Sequence, residues 1–285
     1  VRLDAFFNDV YRVLKLRGKS PRSVLLHQIA IRNFGRWLER PATLADLDDL
    51  TLARYLDFRG TQVAPHTVER ERNSLCAQWR LACDRGLLAV RPTIQPQPLP
   101  QKIPTAWTVA QLDRLFQAAR HARGTVGPVP ASVWFPALLT LAWESGERIG
   151  ALLAAQREDL SGGRLAIHAD ARKGRREPKM HHLSAGCVAQ LHAARAPGRP
   201  EVLWWPMALP SLYDRLHKIL DDAGLRGKRV AFHQMRRSAA THLTAAGGDA
   251  QAFLGHLEPR TTKAYIDPRI LPQAAPAWSI LPRLK

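Results

Sequence analysis

Residues 91–105 read RPTIQPQPLPQKIPT, and this stretch constrains the fold more than any other. Pro92, Pro96, Pro98, Pro100 and Pro104 fall within it, among almost no good helix formers. Each proline fixes φ and withholds a backbone N–H, so the stretch can neither continue a helix nor sit inside a sheet. It reads as a semi-extended linker. A chain of 285 residues is long enough to bury two separate cores. The expected organisation is a first domain over 1–90, a linker over 91–105 and a second domain over 106–285.

Composition narrows what the two domains handle. Hydrophobic residues make up 46%, which suits globular domains rather than disorder. Lysine and arginine outnumber aspartate and glutamate by 42 to 24, a net charge of +18. Residues 1–95 carry 16 basic and 10 acidic residues, and residues 96–285 carry 26 and 14. Both parts are therefore positive, which points to a long polyanion held by both rather than by a basic tail. No basic amphipathic anchor, lipidation motif or membrane-length apolar run is present, so no membrane partner is expected. Cys76, Cys83 and Cys187 have neither metal-ligand spacing nor a disulfide framework. A reduced, cytoplasmic and nucleoid-associated protein is the expectation.

The first domain reads as four helices. Leu3, Phe6, Phe7, Val10, Val13 and Leu14 share one helical face in LDAFFNDVYRVLKLR. Ser20-Pro21 is a cap followed by a first-turn proline, opening a helix to about Arg40. Further helices are expected over Leu50 to Phe58 and from Pro65 to Gly86. Arg17, Lys19 and Arg22 cluster at one loop and helix start, and Arg70 and Arg72 lie on the fourth helix. All five are candidate phosphate contacts.

In the second domain, Thr108 to Gln111 forms a capping box before QLDRLFQAARHA. Residues 131–144 are apolar on all sides and predict a buried helix, followed by a turn over Ser145 to Gly150. Arg164 to His168 alternates like a strand, and ADARKGRRE continues as a turn and second strand. Arg175 and Arg176 in this basic run are further DNA candidates. Ser184 caps a helix to Ala194, and Ser211 starts another.

The chemistry concentrates between His233 and Tyr265, HQMRRSAATHLTAAGGDAQAFLGHLEPRTTKAY. His233, Arg236, His256 and Tyr265 are two imidazoles, a guanidinium and a phenol close in sequence. The imidazoles and guanidinium can hold phosphate oxygens while the phenol attacks phosphorus. Phosphodiester cleavage proceeds either through carboxylate-held metal or through a side-chain nucleophile among cations. The set here is cationic, so the second route is expected, with no metal and no cofactor.

The string His-x-x-Arg, then Leu254-Gly255-His256, then Tyr265 after eight intervening residues, resembles the tyrosine recombinases, the phage-integrase-like family. Arg237, Thr241-His242-Leu243 and Thr261-Thr262 also stand in family-like places. The resemblance implies a mainly α fold with a small β-sheet or hairpin: a helical core-binding domain and an α+β catalytic domain, in the simple two-domain arrangement. It implies a site-specific DNA recombinase, or integrase, that cleaves and rejoins double-stranded DNA through a 3′-phosphotyrosine, without ATP. It makes Tyr265 the nucleophile, and Arg148, after a buried helix and a Gly-x-Arg turn, the first catalytic arginine. Arg236 and His256 join it on the phosphate. A phenol ionises near pH 10 in water, so it needs activation, and His233 is a plausible general base. Lys173 matches the lysine expected on a β-turn as general acid, with Lys179 as competitor. Arg237 is a further DNA contact.

Two departures stand out. The family usually has an acidic residue three positions after the first arginine, and here it is Ala151. The segment 247–253 is about three residues shorter than expected, roughly one helical turn. Both features favour an alternative, a DNA-binding protein of this fold with impaired catalysis. A type IB topoisomerase-like enzyme is the other. In the family the segment after the tyrosine often docks on a neighbouring protomer. A homo-tetramer on two DNA sites is expected; the tail, with Ile270, Leu271, Trp278, Ile280 and Leu281, either docks on the neighbour with Trp278 as anchor or folds back onto its own catalytic domain. Neither the target sequence nor the biological role is written in the chain.

Overall fold

The computed structural model describes residues 1–100, 103–172, 177–225 and 231–272. Lys173, Arg175, Arg176, Trp278, Ile280 and Leu281 lie outside the described residues. The chain divides into two compact units, Val1–Gln101 and Lys102–Lys285.

The first unit opens with a helical run made of α1 (Leu3–Phe6), a π-helical turn (Phe7–Tyr11) and α2 (Arg12–Lys15). A π turn holds more residues than an α turn, so it rotates the face beyond it. Leu3, Phe6, Phe7 and Tyr11 are buried, whereas Val13 and Leu14 are exposed and Leu16 packs on the core instead. An uninterrupted α-helical phase would place Val13 and Leu14 inside. Helix α3 (Pro21–Trp37) starts at Ser20, whose side chain accepts the Ser23 N–H at 3.3 Å. Helices α4 (Asp49–Gly60) and α5 (Pro65–Asp84) complete the bundle. Phe6, Phe34, Tyr55, Leu75 and Trp79 fill its centre.

One carboxylate sits within that core. Glu71 accepts from Tyr55 Oη at 2.6 Å, Asn33 Nδ2 at 2.9 Å, and Arg59 Nε and NH2 at 2.9 and 2.8 Å. Three elements are tied by it. The proline-rich stretch is extended and pinned back on the same unit. Thr93 Oγ1 donates to Asp49 at 2.6 Å, and the Gln97 N–H donates to Glu69 at 3.2 Å. Arg72 corrects a sequence expectation: it is buried, pairs with Glu69 at 2.9 Å and donates to the Ile94 carbonyl, so it does not face DNA. Arg17, Lys19, Arg22 and Arg70 are exposed.

The second unit is built around α7 (Ala131–Ser145), which packs against α6 (Val109–Arg120), α9 (Ala185–Ala193) and α11 (Ala231–Ala245). Its sequence is apolar all round, as a helix enclosed on every side requires. Thr108 and Gln111 form the reciprocal cap of α6. A small hairpin of β1 (Thr125–Val126) and β2 (Val129–Pro130) precedes α7. After it come α8 (Ile149–Ala154) and a three-stranded antiparallel sheet of order β3 (Leu160–Ser161), β4 (Arg164–Ile167), β5 (Lys179–His182). The last strand lies later than the sequence suggested. Helix α10 (Leu209–Asp222) begins before Ser211, because Pro210 occupies its first turn. Short helices α12 (Ala250–Leu254) and α13 (Pro259–Lys263) close the unit. The architecture is mainly helical with small sheets, as expected.

Strand parity decides which side chains of β5 face the interior. Lys179 and His181 share one face, and Met180 and His182 the other. His181 is 5% exposed, whereas Met180 is 51% exposed. The polar pair therefore points inward.

Breaking the buried Glu71 pairing by Glu71→Ala would strand a guanidinium, a phenol and an amide. Its expected cost is about 3–5 kcal/mol, read as a lowered denaturation midpoint of the first unit by Trp79 fluorescence. A loss under about 1 kcal/mol would show that the network adds little beyond the apolar core.

Candidate active site

The site is assembled around Arg236 on α11, which is 1% exposed. Its guanidinium donates to the carbonyls of Gly146 and Leu254, the latter at 2.7 Å, and lies 3.3 Å from His256 Nε2. Those carbonyls sit at the C-terminal ends of α7 and α12, which lack intrahelical partners. Gly146 and Gly255 end these helices at φ +61° and +63°. A Cβ on Gly146 would come within 2.4 Å of the Phe253 ring, and one on Gly255 within 2.5 Å of the Arg172 guanidinium. Both turns thus favour glycine for their left-handed conformation, and Gly146 also for space against the Phe253 ring. One carries Arg148 to the site, the other His256.

Arg148 caps the start of α8 and is half-buried. Burial and the charge of Arg148 push the Arg236 guanidinium below its usual range, with Glu147 opposing. His256 is lowered to about 4, by burial first and then by Arg236, Arg148 and Lys179. It is therefore neutral near pH 7. Arginine can only donate, so His256 Nε2 accepts from Arg236. Nδ1 then carries the proton and donates to Thr262 Oγ1 at 3.1 Å.

Tyr265 follows α13 and is 9% exposed. Its Oη lies 3.0 Å from His233 Nε2. Its ring centroid is 4.9 Å from that of His256, 5.6 Å from Arg236 Cζ and 6.0 Å from Arg237 Cζ. The shortened segment still brings His256 and Tyr265 together: Asp249 caps α12 by accepting from Gln251 and Ala252, and Gly255 turns the chain back. The tyrosine backbone is fixed within its own chain. Thr241 Oγ1 donates to the Tyr265 carbonyl at 3.3 Å and accepts the Asp267 N–H at 3.0 Å. Asp267 accepts from Ala106 N at 2.9 Å and from Arg269 NH2 at 2.7 Å.

Lys179 enters from β5. Its Nζ donates to the carbonyls of Ala252 and Phe253 at 2.8 and 2.5 Å. Burial, followed by Arg172 and Arg236, lowers its amine to about 8, against the opposing pull of Glu147. Of the two candidate lysines, Lys179 is placed at the site, while Lys173 is outside the described residues. Sequence reasoning missed Glu147, a buried carboxylate between Gly146 and Arg148. Its adjacency to Arg148 within an otherwise cationic set was the available signal. Ala151 is buried and supplies no charge. Among the described residues no cluster of His, Cys, Asp and Glu could hold a metal, and no helix is long and apolar enough to cross a membrane.

The arrangement joins a phenol with an imidazole on its hydroxyl, a buried guanidinium at its ring and a second arginine close by. That is suited to nucleophilic attack on a phosphodiester.

The sequence profile of the phage integrase family matches residues 205–270, which include His233, Arg236, His256 and Tyr265. Tyrosine recombinase XerC of Lactobacillus leichmannii is 24% identical over 269 residues, covering 87% of this chain and 89% of that protein. The fold is similar to lambda integrase residues 75–356 in a dimer bound to a COC′ core site. That likeness has a TM-score of 0.74 and 18% identity, over 94% of this chain and 96% of the other. A lambda integrase tetramer bound to a Holliday junction gives 0.74 and 17% identity, over 94% and 78%.

The neutral His256 has a consequence for stability. Between its ordinary value of 6.5 and about 4, the unfolded chain binds a proton that the folded site refuses. Stability then rises with pH across that window and falls on acidification. His181, lowered by burial, acts in the same direction. His256→Asn is expected to reduce the drop in thermal midpoint between pH 7 and pH 4.5. An unchanged drop would contradict the neutral assignment.

Proposed function

We propose, from the premise that the chain belongs to the phage integrase family of tyrosine recombinases, enzymes that break and rejoin DNA, that Tyr265 is the nucleophile of a site completed within one chain. The observation that carries this reading is the 3.0 Å contact between Tyr265 Oη and His233 Nε2, beside the buried Arg236. His233 takes the phenolic proton as Oη attacks phosphorus. The P–O5′ bond breaks as the Tyr Oη–P bond forms, leaving a 3′-phosphotyrosine and a free 5′-hydroxyl. Arg148 and Arg236 stabilise the negative charge that builds on the non-bridging oxygens. Planar guanidinium donors suit this better than an ammonium. The covalent bond retains the energy of the broken one, so rejoining reverses the same steps without ATP.

His256 begins as an acceptor from Arg236. A phosphate that takes up the Arg236 hydrogen would free Nε2, and its negative charge would favour protonation there. The leaving 5′-oxygen needs a proton, and the lysines of the β4–β5 connection supply it: Lys173 as general acid, with Lys179 holding the end of α12 beside His256. The exposed Arg17, Lys19, Arg22 and Arg70, with Arg175 and Arg176, supply phosphate contacts. The working assembly is a homo-tetramer on two double-stranded DNA sites, a reading supported by the similar fold of a lambda integrase tetramer bound to a Holliday junction.

A suitable substrate is a nicked duplex built on the sequence that the wild-type chain selects from a randomised pool. Tyr265→Phe is expected to bind it normally and form no covalent adduct on a denaturing gel. An adduct persisting in the Phe variant would overturn the assignment of the nucleophile. Replacing the leaving 5′-oxygen by sulfur, which departs without a proton, separates the two lysines. Lys173→Ala should cleave at least tenfold slower on oxygen and recover on sulfur, whereas Lys179→Ala should be equally impaired on both. Rescue confined to Lys179→Ala would exchange the roles.

A further inference from the structure

The cations of the site share one carboxylate. Glu147, between α7 and α8, is 3% exposed. Its Oε1 accepts from Arg172 Nε at 3.0 Å and stands 3.4 Å from His181 Nε2. Its Oε2 accepts the backbone N–H of Arg148 at 3.3 Å. Its own N–H donates to Ser145 Oγ at 3.2 Å, and that hydroxyl donates to the Leu141 carbonyl at 2.6 Å inside α7. Burial alone would raise its pKa. The His181 imidazole, 3.4 Å away, and the charges of Arg172 and Arg236 outweigh burial and bring it to about 2. It is ionised at any pH at which the protein works.

An ordinary buried ion pair serves two side chains. Glu147 joins four regions: the end of α7 through Ser145, the Arg148 peptide, Arg172 before β5, and His181 on β5. Arg148 is the cap residue of α8, yet its own side chain does not cap that helix start. The Glu147 carboxylate meets the Arg148 peptide instead. Arg148 and Arg236 are like charges that disfavour each other. A fixed negative charge beside them lowers the cost of holding two such charges side by side before any anion arrives. Arg172 extends the brace, since its NH1 donates to the Glu177 carbonyl at 2.9 Å and its guanidinium lies against Gly255.

We propose that Glu147 is a positioning residue for the phosphate clamp, fixing the Arg148 peptide and tying it to the Arg172 and His181 side chains so that Arg148 and Arg236 are held together in advance. It touches no reacting atom. The proposal rests on the reading of Arg148 and Arg236 as that clamp. It also gives the site its carboxylate from the residue before Arg148, where Ala151 offers none.

The test uses the full chain and the nicked duplex selected by the wild type, under single-turnover conditions with saturating protein. Glu147→Gln keeps the shape and removes the charge, and Glu147→Asp keeps the charge. The expected result is that Glu147→Gln cleaves at least tenfold slower with DNA affinity within twofold of wild type. Glu147→Asp is expected to recover at least a third of the lost rate. Removing the charge should also shift the pH profile of cleavage. The groups facing Glu147 are Arg148, Arg172, Lys179, His181, Arg236 and His256, and of these Lys179 is lowered to about 8 by burial first. Cleavage by Glu147→Gln within twofold of wild type would overturn the proposal. So would equal losses of rate, affinity and melting temperature in both variants, which mark a purely structural role. If the wild type itself forms no Tyr265-dependent adduct, the clamp reading fails and the proposal with it.

Discussion

The second unit depends on burying the Arg236 guanidinium. Removing an arginine from water costs several kcal/mol unless its donors are taken up. Here NH1 and NH2 donate to carbonyls that two helices leave unpaired at their ends, Gly146 after α7 and Leu254 in α12, while Nε is buried with no hydrogen-bond partner among the described residues. Each need answers the other. The charge requires acceptors, the helix ends require donors, and the meeting point fixes where Arg148 and His256 emerge. Because α11 also carries His233 one turn earlier, the imidazole that contacts Tyr265 Oη is set in the same frame. Arg236 is thus the staple of the local fold as well as the group proposed to meet the phosphate.

Such a site is stable only with a balance of charge. Arg148, Arg236, Arg172 and Lys179 crowd a small volume, and Glu147 is the buried carboxylate among them. Burial first, and then the remaining positive excess, lowers Lys179 to about 8 and keeps His256 neutral. An environment held positive in advance gains most from an anion whose charge grows during reaction, as it does on a pentacoordinate phosphorus. The features that make this cluster of charge costly are the ones that would favour such a transition state.

The parts of the fold legible in the sequence were those governed by local rules. Prolines announced the extended linker, Ser20-Pro21 and Thr108 announced helix starts, and the apolar run before Ser145 announced the buried helix. The His233-to-Tyr265 spacing named four residues that the structure brings into contact. What stayed hidden depends on packing at a distance. Nothing in residues 7–11 signals a π turn, so helical phase alone puts Val13 and Leu14 inside. Arg72 resembled any surface arginine, because the Ile94 carbonyl that covers it arrives only when the linker folds back, although its i,i+3 partner Glu69 lies on the same helix. Hydrophobicity alone would put Met180 inward, yet the register of β5 turns Lys179 and His181 inward to meet Glu147.

Tyr265 is delivered by its own chain. Thr241 on α11 holds its carbonyl, and Asp267 two residues later is anchored to Thr241, Ala106 and Arg269. The central claim is that one chain supplies the nucleophile together with the Arg236 frame that activates it. Mixing two inactive variants on one selected duplex, Tyr265→Phe and Arg236→Ala, tests this most directly. The expected result is no covalent adduct at any mixing ratio, because neither chain holds a complete site. Adduct formation in the mixture, absent from each variant alone, would show the tyrosine acting in a neighbour's site and contradict the account.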